Sequence, residues 1–229
     1  PVVAPGVPFT PNWHLEAIAH ALMQVLHRQS RRLIITVPPR SLKSISASVA
    51  FPAFILGHDP RRRIICVSYS EALARKHAND TRAVMRSRLY SRLFPATRIS
   101  AAKDTELEFA TTRGGNRLAT SVGGTLTGRG NFVIIDDPMK PQEAYSEATR
   151  DSVKQWFSNT LLTRLDDKTQ DAIVLVMQRL HVDDLVGYLL EQGGWAHLNL
   201  PAIAETDSRI ALSPTRSHLR RAGDLLHPE

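Results

Sequence analysis

Lys43-Ser44, reached through Val37-Pro38-Pro39-Arg40-Ser41-Leu42 at the end of the apolar run Leu33–Val37, brings together the residue types that hold a polyphosphate. A buried strand, a tight turn and a Lys-Ser opening a helix attract negative charge, because the first helical N–H groups lack partners. The lysine reaches the outer phosphates and the Ser44 hydroxyl is a ligand for Mg²⁺. The usual pattern has glycines at the positions held here by Val37 and Leu42, and the two prolines remove two N–H donors. Taken alone, the segment is also compatible with a strand–turn–helix that merely carries a basic cap.

A second constellation lies far along the chain. Phe132-Val133-Ile134-Ile135-Asp136-Asp137 is four apolar residues followed by two acids. A strand next to the lysine loop would deliver Asp136 to a metal, and Asp137 would orient and polarise an attacking water. Asp137 directly before Pro138 equally fits a helix N-cap with proline at the first helical position. Two further strand ends are polar: Ser68-Tyr69-Ser70 and Gln178-Arg179. Gln178 has the alternative task of satisfying buried backbone groups.

These residues need a sheet to position them. Runs rich in β-branched residues occur at Leu33–Val37, Arg63–Val67, Phe132–Ile135 and Ala172–Met177. Helical spacing marks His14–Arg28, Ser44–Leu56, Glu71–Arg88, Glu147–Arg164 and Asp183–Glu191. The alternation predicts an α/β fold, a mostly parallel sheet with helices on both faces and function at the carboxyl ends of the strands. Leu107–Thr111 and Arg117–Thr120, split by Gly114-Gly115-Asn116, predict a small inserted β-hairpin. Beyond about Ala204 the periodicity fades. The expected organisation is therefore one domain over 1–204 and a linker or strap over 205–229.

At 229 residues the chain can bury one substantial core. No apolar run approaches the roughly 20 residues that span a bilayer, so no membrane association is expected. The lone Cys66, in an apolar run, excludes an intrachain disulfide. A net charge of +7, most of the positive side being arginine, favours a polyanionic partner. Arg75, Arg82 and Arg86 share one helix face, which either tracks phosphates or is a solvated side. Trp156, Phe157 and Leu161 are spaced as core residues, and His181 with Asp183 and Asp184 reads as a helix start.

The order and spacing of these segments resemble the N-terminal ATPase domain of the terminase large subunit, the DNA-packaging motor of tailed phages and prophages. The marks begin with Pro11-Asn12-Trp13-His14-Leu15, Pro38 to Ser44 and Ser68-Tyr69-Ser70. They continue with Ala119 to Gly128, Val133 to Pro138, and Met177-Gln178-Arg179 followed by His181 and Asp183-Asp184-Leu185. The resemblance runs from about Pro8 to Glu229 and implies a P-loop NTPase fold of the RecA/ASCE-like kind.

It also implies roles. Pro39, Arg40, Ser41, Leu42, Lys43 and Ser44 match the phosphate loop, with Arg40 as a sensor of the outer phosphate or else a solvated arginine. Ser44 and Asp136 match the magnesium ligands, and Asp137 the catalytic carboxylate. Trp13 and His14 match the segment bordering the adenine, although Trp13 also suits a core anchor. Gln178 and Arg179 match the segment that couples hydrolysis to movement. Gly123-Gly124-Thr125-Leu126-Thr127-Gly128-Arg129-Gly130 is a mobile loop, read as having Arg129 at its tip. In related ring motors an arginine reaches the neighbour's nucleotide, so Arg129 is read as that finger, with contact to DNA or solvent as the competing role.

The expected activity is ATP hydrolysis with ATP and Mg²⁺, coupled to translocation of double-stranded DNA in the host cytoplasm. The expected assembly is a homo-oligomeric ring on a portal with a terminase small subunit. The alternatives are a helicase-like P-loop translocase and a non-catalytic nucleotide-binding scaffold. Full-length members carry a nuclease domain beyond the ATPase. The chain shows no late acidic cluster for a two-metal site, so it is not expected to cut DNA.

Overall fold

The computed structural model describes residues 2, 3, 6, 8–126 and 128–227. Thr127 of the glycine-rich run and Pro228-Glu229 lie outside the described residues. Helix α1 (Trp13–Leu26) leads into β1 (Arg32–Thr36), the phosphate-loop candidate, a π-helical turn over Ile45–Ala50 and α2 (Phe51–His58). Then come β2 (Arg63–Ser68), α3 (Glu71–Arg86), α4 (Arg88–Leu93), β3 (Ile99–Asp104), β4 (Glu108–Thr111) and β5 (Asn116–Ser121). The acid strand β6 (Phe132–Asp136), α5 (Glu147–Asn159), β7 (Ala172–Met177), α6 (Leu185–Gln192) and β8 (Ala196–Asn199) follow. The strands β9 (Ser208–Ala211) and β10 (Ser217–Arg220) form a separate hairpin.

One eight-stranded sheet runs β3-β4-β5-β2-β6-β7-β1-β8. From β5 to β8 every pairing is parallel; β3 and β4 are antiparallel additions at one edge. Strands buried on both faces read as unbroken apolar runs, and alternate residues serve opposite cores. Leu33, Ile35, Val174 and Val176 pack with α1 and α2, whereas Ile34, Ile173 and Leu175 pack with α5 and α6. The anticipated hairpin is present, but β5 pairs in parallel with β2, so it extends the sheet rather than standing apart from it.

Three features depart from the sequence reading. Strands β3 and β8 are largely exposed edge strands, without the apolar alternation that betrays an inner one. The pattern over Glu147–Arg164 is divided: α5 stops at Asn159, and Leu161–Arg164 form a 3₁₀ turn that still buries Leu161. The residues after Ala204 form the β9–β10 hairpin, which places Ile210 and Leu226 in the α1-side core and buries Arg220 against the carbonyls of Pro201, Ala202 and Asp224. Among the described residues no helix is long and apolar enough to cross a membrane.

Candidate active site

Strand β1 hands the chain to the loop at Val37, whose N–H still donates to the Met177 carbonyl of β7 at 3.2 Å. The prolines then carry the backbone off the sheet. Arg40 and Leu42 take left-handed φ values of 64° and 56°. The conformation that a glycine favours at position 42 is thus kept, with a leucine bearing the strain. Among the described residues the N–H groups of Arg40, Ser41 and Leu42 have no hydrogen-bond partner, which leaves them available to an anion. Arg40 itself is exposed. Lys43 and Ser44 open the helix, and the π-helical turn follows immediately.

Asp136 and Asp137 arrive two strands away, because β7 lies between β1 and β6. The acid strand is therefore not the immediate neighbour of the lysine strand, and the two sites meet across the carboxyl end of β7. Ser44 Oγ donates to Asp136 Oδ1 at 3.1 Å, and Lys43 Nζ lies 2.5 Å from Asp137 Oδ2. The other oxygen of Asp137 accepts the Gln178 N–H at 3.2 Å. Asp137 has a φ of 43°, tolerable for aspartate. No helix begins at Pro138; the next is a short 3₁₀ turn over Pro141–Glu143, so the N-cap alternative for Asp137 does not hold.

Asp136 is fully buried. Its second oxygen accepts from Ser48 at 3.0 Å and lies 3.6 Å from His77 Nδ1. Burial, helped by the neighbouring Asp137 charge, pushes its pKa up to about 6. Burial and the nearby Arg117 push His77 down to about 4, so at neutral pH it faces the acid uncharged. Ser48 and His77 were not anticipated. Ser48 stands four residues after Ser44, one helical turn on, and that spacing was a legible signal. His77 lies in the small-residue stripe Ala74, Ala78, Thr81 of α3, where a histidine reads as packing.

A hydroxyl and a carboxylate oxygen 3.1 Å apart at the mouth of a phosphate loop are the hard donors that magnesium takes, directly or through its retained waters. The residues fit that ion. Among the described residues there is no cluster of three or more His, Cys, Asp or Glu suited to a metal.

The other anticipated residues divide. His14 is buried beneath the loop with Nε2 3.2 Å from the Ser41 carbonyl, its pKa lowered by burial. Trp13 stacks on His218 at 4.2 Å, with Arg220 5.8 Å from its ring centre, so it anchors the C-terminal hairpin onto α1. Gln178 and Arg179 line a cavity of about 630 Å³ together with Thr36, Pro38, Pro39 and Asn199. This cavity adjoins the loop on its proline side and does not include Lys43 or the two acids. The Arg179 guanidinium is committed to Asp184 at 2.9 Å and to the carbonyls of His181 and Val182. Asp184 in turn caps α6.

Arg129 is not at the tip of its loop. The segment after β5 descends from the carboxyl edge of the sheet, and Gly130 pairs with Leu165 at the amino edge. Six residue steps then carry the chain from Gly130 to Asp136, about 20 Å at the rise of an extended chain. Arg129 is exposed there and cannot reach the acids of its own chain. The stripe on α3 divides: Arg82 is buried on the Thr105 and Glu106 carbonyls, whereas Arg75 and Arg86 stay largely exposed while paired, Arg75 with Glu71 and Glu106 and Arg86 with Asp104.

No protein-family model matches the chain, and no curated protein matches it in sequence. Solved structures do. The large terminase ATPase domain of Thermus phage P74-26 aligns with a TM-score of 0.53 at 15% identity, over 82% of this chain and 84% of that one. The HK97 bacteriophage large terminase aligns at 0.53 and 13% identity, over 89% of this chain and 42% of its own. S. cerevisiae dbp5, in a structure with nup159, gle1, IP6 and ADP, aligns at 0.51 and 15% identity, over 83% and 48%. The chain thus spans less than half of the HK97 and dbp5 chains. What the likeness establishes is the fold: the P-loop NTPase fold that phage large-terminase ATPase domains share with dbp5.

Proposed function

We propose that the chain hydrolyses ATP as the ATPase domain of a terminase large subunit and couples that hydrolysis to movement of double-stranded DNA into a procapsid. The observation that carries the reading is the meeting of two sequence-distant strand ends: Lys43 against Asp137 at 2.5 Å and Ser44 against Asp136 at 3.1 Å. The free N–H groups of Arg40 to Leu42 receive the β- and γ-phosphates, and Lys43 turns from Asp137 to their oxygens. Ser44 and Asp136 would hold Mg²⁺, which supplies charge neutralisation at those oxygens when bound. Asp137, released from Lys43, orients a water for in-line attack on the γ-phosphorus while its other oxygen stays fixed by the Gln178 N–H. Arg40 contacts the outer phosphate. Arg129 acts on the site of a neighbouring subunit.

Gln178 follows Asp137 along this hydrogen bond, and Arg179 is tied to the cap of α6. The 178–179 segment is therefore a mechanical link from the hydrolytic acid to α6. Residues 1–204 are taken as the ATPase domain and 205–229 as a strap fastened through Trp13. The full assembly is a homo-oligomeric ring on a portal, served by a small subunit in the host cytoplasm. The likeness to dbp5 keeps one rival, a helicase-like translocase. Steady-state phosphate release by wild type and Lys43→Ala, with duplex and with single-stranded DNA, tests both. Equal turnover in the two proteins refutes the catalytic reading, and stimulation confined to single strands favours the rival.

A further inference from the structure

Except at the antiparallel β4, the connections that enter the strands lie together along the amino edge of the sheet. Six of them, 27–32, 58–63, 96–98, 112–116, 129–131 and 164–171, hold eleven Lys and Arg against four Asp and Glu. Their excess equals the net charge of the whole chain, +7, so the rest of the sequence is balanced. In spatial order they run from β3 through β4, β5, β2, β6 and β7 to β1, and every one contributes at least one cation. The row stops before β8, which is preceded by Glu191.

Two of the four acids are paired within the row, Asp59 with Arg61 and Arg62 and Asp166 with Arg63. Asp171 is buried and accepts the Asp167 N–H, and Asp167 is exposed, which leaves the row seven cations in excess. Arg31 and Arg32 are held by carbonyls of Lys168, Thr169 and Asp171, which fix their direction without neutralising them. Arg61 and Arg63 keep 78% and 49% of their side-chain surface exposed. The row crosses seven strands, about 29 Å at ~4.8 Å per strand. That is the length of about eight base pairs of duplex, with one phosphate per ~3.4 Å on each strand. The six segments contain no Phe, Tyr or Trp, so they offer no platform on which unpaired bases stack.

We infer that this amino edge of the sheet is a binding face for the phosphate backbone of duplex DNA, independent of base sequence. It lies a strand's length, about 20 Å, from Asp136 and Asp137, and leaves the nucleotide cleft open. The choice of duplex DNA agrees with the proposed function, but the placement of the face rests on charge and topology alone.

The test is the salt dependence of duplex affinity for the full chain, read by fluorescence anisotropy between 50 and 300 mM NaCl. One variant carries Arg61→Gln, Arg98→Gln, Arg113→Gln and Lys168→Gln, all exposed. A comparison variant carries Arg75→Gln, Lys76→Gln, Arg86→Gln and Lys103→Gln around α3 and β3. Each DNA phosphate no longer neutralised by the protein lowers the slope of log K against log[salt] by about 0.9. The edge variant is expected to lose about three to four units of slope and at least 100-fold in affinity at 100 mM. Its affinity for a fluorescent ATP analogue and its melting temperature stay near wild type, and the comparison variant binds DNA as wild type does. An edge variant within twofold of wild type in affinity and slope overturns the inference, as does loss of binding in the comparison set instead. Tighter binding of single strands than duplex also overturns it. A change in self-association by sedimentation, with DNA affinity intact, would assign the edge to contact between subunits. Because nucleotide binding is read separately, failure of the ATPase reading leaves this result interpretable.

Discussion

The ion pair between Lys43 and Asp137 predicts an effect of opposite sign to the usual loss on removing a site residue. At 2.5 Å, with 9% and 22% of the two side chains exposed, the pair is mostly withdrawn from water. Its Coulomb energy at an effective dielectric of about 20 is about 7 kcal/mol. Desolvation offsets most of this, leaving a net contribution on the order of 1–2 kcal/mol. A triphosphate must displace Asp137 to gain the lysine, so Asp137 competes with the ligand. Asp137→Asn removes the competitor and retains a side chain tolerant of the positive φ. Its amide oxygen still accepts the Gln178 N–H.

The expected result is nucleotide binding about 5- to 30-fold tighter than wild type, together with hydrolysis reduced by at least 100-fold. Lys43→Ala should lose binding instead. Titration of a fluorescent ATP analogue with and without Mg²⁺ reads the first effect, and single-turnover phosphate release reads the second. If Asp137→Asn binds nucleotide as weakly as Lys43→Ala, the acid supports the loop rather than competing with the ligand, and the reasoning fails. Unimpaired hydrolysis would equally remove Asp137 from the chemistry.

Three further outcomes are expected. In metal-free protein, Asp136 keeps its proton up to a pH of about 6 in the folded state, so its contribution is lost as pH rises from about 4 to 6. His77, lowered to about 4, contributes stability that is lost as pH falls from 6.5 towards 4. The two oppose each other at about 3 kcal/mol each. Relative to wild type, His77→Gln should therefore lose stability with rising pH over 4–6, and Asp136→Asn should gain it; parallel urea-denaturation curves would contradict this. At position 42, glycine relieves the left-handed strain while loosening the unfolded chain, so Leu42→Gly should stay within about 1 kcal/mol of wild type. Leu42→Val, β-branched at a φ of 56°, should cost about 2 kcal/mol by thermal melting. Finally, because Arg129 stands about 20 Å from its own acids, Arg129→Ala and Asp137→Asn subunits mixed in one assembly should recover turnover that neither has alone. No recovery over the mixing range would rule out action between subunits.

The parts of this site that the sequence discloses are those whose chemistry is contiguous in the chain. Lys43-Ser44 and Asp136-Asp137 each follow an apolar run that can only be an inner strand, and a parallel sheet gathers such ends on one edge. The fold class follows from the same four runs. What the sequence conceals depends on partners brought from elsewhere. Ser48 and His77 acquire meaning only once α3 packs over the π-helical turn and both face Asp136 Oδ2. Edge strands β3 and β8 lack an apolar pattern because one side of each meets solvent. Arg179 and Trp13 have side chains suited to a ligand, yet their hydrogen bonds and stacking go to Asp184 and His218. Arg129 shows the limit most plainly. Its nearness in sequence to Asp136 suggests nearness in space, but a strand carries consecutive residues apart at ~3.3 Å each. In a parallel sheet, the residue just before a strand is at the opposite edge from the one just after it. The same rule that collects the two acids and the lysine at one edge therefore collects the positive charge at the other. The topology thereby keeps the proposed nucleotide site and the proposed polyanion face a strand's length apart.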